Sequence, residues 1–156
     1  MQFRQKGFSL VEVVAMVVVV LIIAALAIPF LLTSKMTSAE TAAVGSLRTL
    51  STALGTYSSQ YNTGYPSALR QLAPAQHPSP AAADLTDGLL ASGVKSGYSF
   101  VYVPGPRDAH GAITTFTLSA NPAVPGQTGS RNFFTDQTGV ITFAYGHPAG
   151  ASDVPL

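Results

Sequence analysis

The 20 residues from Val13 to Leu32 contain no charge, and only Pro29 interrupts their apolar character. At about 1.5 Å of rise per residue, such a run makes a helix roughly 30 Å long, the thickness of the hydrocarbon core of a bilayer. The run predicts a single transmembrane helix. A buried core helix of a soluble protein is seldom this long, and the apolar stretch of a secretory signal peptide is shorter, about 7–15 residues, and ends in a small-residue cleavage site. Here Thr33-Ser34-Lys35-Met36 follows instead. Arg4 and Lys6 precede the run and Lys35 follows it. The positive-inside rule then keeps the first residues in the cytoplasm and sends the rest of the chain outward.

The 156 residues leave room for one domain beyond this segment. Charged residues are 10% of the chain, against about 25% in an average soluble protein, and Lys+Arg 8 against Asp+Glu 7 gives a net charge of +1. That balance argues against an electrostatic nucleic-acid binder. The absence of cysteine excludes disulfides, thiolate metal sites and a cysteine nucleophile. His77, His110 and His147 lie scattered in Pro/Gly-rich loops, at no ligand spacing, and are read as solvated. Asp136 with Gly139 suggests a turn rather than a calcium cage, for which one acid is too few. No nucleophile constellation or phosphate-binding loop appears, so the expectation is a protein that is not an enzyme and takes no cofactor or metal.

Glu12 stands at the edge of the apolar run, between Val11 and Val13. A carboxylate in hydrocarbon costs several kcal/mol without a partner. Taken alone, Glu12 either snorkels to the headgroups or marks a functional position. Its wider context is Lys6-Gly7-Phe8-Ser9-Leu10-Val11-Glu12-Val13 followed by the apolar run, with Pro29 placed 21 residues after Phe8. This combination resembles the start of a type IV prepilin, of the superfamily that includes the type II secretion pseudopilins. The likeness covers about the first quarter of the chain.

The resemblance implies that a prepilin peptidase cuts between Gly7 and Phe8 on the cytoplasmic side and N-methylates the Phe8 amine. The mature chain would have 149 residues. It further implies assembly into a helical filament with other copies of the chain or related pilins. The new ammonium at Phe8 of one subunit would meet the Glu12 carboxylate of its neighbour, a pair that sets axial register because leaving either charge unpaired costs about 3–5 kcal/mol. Pro29, which cannot bond the carbonyl of Ala25, falls where pilins carry a helix-bending proline. The expected location is the inner membrane, single-pass with the N-terminus cytoplasmic, and then a periplasmic or cell-surface filament.

After Lys35 the pattern turns amphipathic. Ala43, Leu47, Leu50, Leu54, Tyr57 and Tyr61 recur at spacings of four and three, one stripe on a helix, with Glu40, Arg48 and Ser51 assigned off it. Phe8 to Tyr61 would make roughly 80 Å of helix, ended by Asn62-Thr63-Gly64-Tyr65-Pro66. The segment Gly64 to Leu72 is similar to the loop after the long helix in the pseudopilins, with one or two helical turns over Ser67–Leu72. Residues 73–83 read as a loop and Asp84 to Ala91 as a short helix. Strands are expected at Tyr98–Val103, Ile113–Ala120, Arg131–Phe134 and Val140–Ala144, the last two forming a hairpin, with an irregular tail from Tyr145.

The expected fold is α+β and pilin-like: a long N-terminal helix, transmembrane in its first half, packed against a small antiparallel β-sheet. The organisation expected is a leader over 1–7, a transmembrane and assembly helix over 8–33, and a globular domain over 34–156. Function follows as a structural subunit of a type IV pilus-like filament. The alternative is a pseudopilin of a type II secretion system driving protein export, for which the loop after the helix argues and the missing acid-rich calcium loop argues against. A monomeric membrane-anchored binding protein is the third reading.

Overall fold

A serine, an acid in the first turn and a long apolar run are what a helix start requires, and helix α1 spans Leu10–Tyr61. The Ser9 carbonyl accepts from the amides of Glu12 and Val13 at 3.0 and 3.2 Å, closing the first turn, where the Glu12 charge complements the helix dipole. The structure, a computed structural model, describes residues 9–156. The helix runs on through Pro29, which donates no hydrogen bond of its own. The chain divides into two compact units, Met1–Lys35 and Met36–Leu156.

Within the second unit, α1 carries the predicted stripe inward. Ala43, Leu47, Leu50, Leu54 and Tyr57 are buried and Tyr61 is half-buried. The opposite face holds Thr41, Thr49, Thr52, Thr56 and Ser59, whose hydroxyls donate to carbonyls one turn back and so need no outside partner. Asn62, at φ 51°, ends the helix in the left-handed region that asparagine tolerates better than most residues.

The sheet has six strands in sequential antiparallel order: β1 Val94–Lys95, β2 Tyr98–Pro104, β3 Phe116–Pro122, β4 Arg131–Asp136, β5 Thr142–Tyr145 and β6 Val154–Pro155. Phe100, Ala120, Phe133 and Phe143 stand opposite one another across four strands, on the face that meets α1. Tyr98 and Leu118 join them against Leu47, Leu50 and Leu54 in one core. Fully burying each large side chain stabilises by about 1.5–3 kcal/mol, so this face is what holds the sheet on the helix.

The expected architecture is present, with five local differences. The tail is not wholly irregular: it turns back so that Val154 pairs with Phe143, and the Leu156 amide donates to the Ile141 carbonyl at 2.9 Å. A two-residue strand ending in proline carries no alternation to read. At the other edge, Ser96 and Gly97, both at positive φ, turn β1 onto β2. Ile113 is no part of β3. It is buried and bridges to Gly64 and to Arg107, while β3 begins at Phe116. Leu69–Leu72 is a 3-10 turn, and α2 is confined to Gly88–Ala91, capped by Asp87, whose Oδ1 accepts from the Leu90 amide at 2.9 Å.

This is a pilin-like fold: one long N-terminal apolar helix whose later turns carry a small antiparallel sheet.

Candidate functional site: an uncovered apolar helix and a buried carboxylate

In the first unit every residue from Ser9 to Lys35 is exposed. The apolar window of α1 is long enough to cross a membrane, and none of it is buried. Leu10, Leu26 and Phe30 are each more than 70% exposed. A run of this kind has apolar side chains on all sides, so it presents a cylinder of hydrocarbon rather than one sticky stripe. Water is the wrong solvent for it, and it fits a single membrane-spanning segment.

Glu12 lies in the first turn of that helix and is exposed, and among the described residues it has no ion pair. Gly7 and Phe8, the expected cleavage and methylation positions, lie outside the described residues. Pro29 is inside the helix, and the Thr33 hydroxyl donates to its carbonyl at 3.1 Å.

The second feature was misplaced by the sequence pattern. Glu40, assigned off the apolar stripe, lies on the buried face, 6% exposed. Its spacing fits that face: it stands three residues before Ala43 and seven before Leu47, so the stripe begins one step earlier than apolar residues alone reveal. Glu40 Oε1 accepts from the Ser130 amide at 2.8 Å, the Ser130 hydroxyl at 2.9 Å and the Arg131 amide at 3.3 Å. Oε2 accepts from Arg131 Nε at 2.7 Å. Burial alone would push this carboxyl up. The Ser130 backbone and hydroxyl donors and the Arg131 guanidinium together outweigh it and hold the group below the usual carboxylate value. The guanidinium carbon lies 5.4 Å from the ring centroids of both Phe133 and Phe143, a cation–π seat that fixes the arginine from the sheet side. Beside it, the buried Tyr98 hydroxyl donates to the Arg131 carbonyl at 2.9 Å, and its own titration is pushed up by burial and by the Glu40 charge.

The loop after α1 is tied down by side chains. Tyr102 Oη donates to the Pro66 carbonyl at 2.7 Å, and Tyr65 packs edge-on against Phe116, centroids 4.7 Å apart. Gln71 Oε1 accepts from the Ser67 amide at 2.6 Å, and Gln71 Nε2 donates to the Pro80 carbonyl at 3.0 Å.

His77, His110 and His147 are exposed and far apart in the chain, and among the described residues no group of three or more metal-ligating side chains comes together. Asp136 Oδ1 accepts from the Thr138 amide and hydroxyl at 2.8 and 2.6 Å, which makes a turn of the β4–β5 connection. No family model matches the chain, and neither a curated protein nor a solved structure matches it. The likeness to pilins therefore rests on the prepilin-like start of the chain and on a pilin-like fold consistent with that broad superfamily.

Proposed function

We propose that the chain is a structural subunit of a type IV pilus-like filament, cut by prepilin peptidase between Gly7 and Phe8, methylated at Phe8 and polymerised through its N-terminal helix. The observation that carries this reading is the contrast between the two units. Residues 36–156 bury a core of their own, whereas the apolar residues from Val13 to Leu32 have no cover among the described residues. Lipid of the inner membrane supplies that cover for a single subunit, with the N-terminus cytoplasmic and the body outside. Helices of other copies supply it in a filament. Glu12 is the address within the apolar helix: its carboxylate would receive the Phe8 ammonium of the adjacent copy. Such a subunit does no catalysis and needs no cofactor.

The deciding experiment is Glu12→Gln in cells making only the variant. Glutamine preserves size and one hydrogen-bonding oxygen but removes the counter-ion, leaving an unpaired ammonium that costs about 3–5 kcal/mol per subunit. Insertion and cleavage at Gly7 should be normal and sheared filament should be lost. Wild-type amounts of filament would return Glu12 to snorkelling at the headgroups and remove the electrostatic basis for assembly.

One observation favours a second reading, a pseudopilin of a type II secretion system that drives protein export. It is the likeness of Gly64–Leu72 to the loop after the long helix of the pseudopilins, a segment tied here to the sheet through Pro66 and Tyr65. Deleting the gene separates the two: loss of surface filaments supports the pilus, and accumulation of exported proteins in the periplasm supports the pseudopilus.

A further inference from the structure

The β3–β4 connection, residues 123–130, is bonded mainly to itself. The Val124 carbonyl accepts from the Gln127 and Thr128 amides at 3.0 and 2.9 Å, the Gly126 amide donates to the Gly129 carbonyl at 2.9 Å, and the Val124 amide donates to Thr128 Oγ1 at 3.1 Å. Residues 123–127 are exposed. The outward hydrogen bonds sit at its two ends. At one, the Ala123 amide donates to the Gly97 carbonyl at 2.9 Å. At the other, Ser130 and Arg131 deliver four hydrogen bonds to the Glu40 carboxylate. Between the ends, Gly129 lies against the Tyr98 ring so closely that an added Cβ would fall 2.7 Å from Tyr98 Cζ.

A buried ion pair is no better for stability than a well-packed apolar pair, but a buried carboxylate stripped of its donors is heavily penalised. Undoing the hydrogen bonds at Glu40 therefore carries a penalty that the loss of an apolar contact does not. We propose that Glu40 is a latch: it holds a preformed loop, residues 123–130, onto helix α1, and its release lets that loop swing as a unit while the sheet and helix stay packed. The loop keeps its internal bonds when it moves, because none of them involves Glu40. The core keeps its packing, because the cluster that joins Phe100, Leu118, Ala120 and Phe133 to Leu47, Leu50 and Leu54 contains neither Glu40 nor any residue of the loop. The latch follows from the second unit alone and does not depend on the filament reading.

Hydrogen exchange on the full chain in detergent tests this residue by residue. Glu40→Gln should raise exchange at least tenfold at the amides of Ala123, Ser130 and Arg131. Gly126, Gln127 and Thr128, whose amides bond within the loop, should stay within about twofold of wild type, as should the core amides of Phe100, Leu118 and Phe133. Ser130→Ala removes one donor and leaves the charge paired. It should reproduce the pattern at Ala123 and Arg131 more weakly, about threefold, and it answers the question if Glu40→Gln does not fold. Equal acceleration across the core would make Glu40 an ordinary contributor to global stability and overturn the latch. So would acceleration at Ser130 and Arg131 with none at Ala123, since the loop would then not be moving as a unit.

Discussion

Gly64 and Gly111 sit at the same kind of backbone angle and differ in what surrounds them, which separates two costs usually entangled. Gly64 has φ 77° and Gly111 has φ 81°, both in the left-handed region. An added Cβ at Gly111 meets nothing within 4 Å, while at Gly64 it would fall 2.6 Å from the Ile113 amide nitrogen and closer still to its carbonyl oxygen. Those atoms are backbone and are held in place, because the Tyr65 amide donates to the Ile113 carbonyl at 2.8 Å. Gly111→Ala should therefore cost only the conformational penalty, about 1–2 kcal/mol. Gly64→Ala carries the same penalty and must also push Ile113 away, an overpacking cost of about 1–3 kcal/mol. The expected totals are about 1–2 against about 2–5 kcal/mol. All six tyrosines lie at or beyond Tyr57 and tryptophan is absent, so the tyrosine band of near-ultraviolet circular dichroism during urea unfolding in detergent reports the body and not the apolar helix. Equal losses for the two variants would show that Ile113 yields freely, and the argument that the post-helix loop is clamped to it would fail.

Three further outcomes are expected. A chain beginning at Met36 should be a soluble monomer with helix and antiparallel sheet, checked by gel filtration and far-ultraviolet circular dichroism; an insoluble product would mean that the body needs the residues before it. Leu50→Ala, at a fully buried stripe position, should destabilise that body by about 2–5 kcal/mol in urea titration, whereas Thr52→Ala on the exposed face should stay within about 0.5 kcal/mol. The Glu40 carboxyl is held below its ordinary value of 4.5, so its contribution is complete above that pH and is lost as pH falls through the lowered one. The body's stability should drop on acidification below about pH 4.5 with a smaller slope in Glu40→Gln, as read from urea midpoints at successive pH values.

Much of this fold was legible because the deciding interactions are periodic and local. A 20-residue uncharged run names its solvent without reference to the rest of the chain. The stripe from Ala43 to Tyr57 follows from 3.6 residues per turn, and strands β2 to β5 were each located, to within a few residues, by β-branched and aromatic runs between turn residues. The prepilin-like start is likewise a matter of spacing along the chain. What remained hidden depends on partners distant in sequence. Glu40 was assigned off the stripe because its partners come about 90 residues later, hydrogen bonds from Ser130 and the countercharge of Arg131, in a pairing no local pattern encodes. Ile113 looked like a strand residue, yet it serves as the backbone on which Gly64 rests. Strands β1 and β6 are two residues long, too short for any period, and are defined by their pairing with the edges of β2 and β5. Periodicity can report which face of an element is apolar, but which polar groups are buried together is decided by where the chain returns, and that is a property of the tertiary structure.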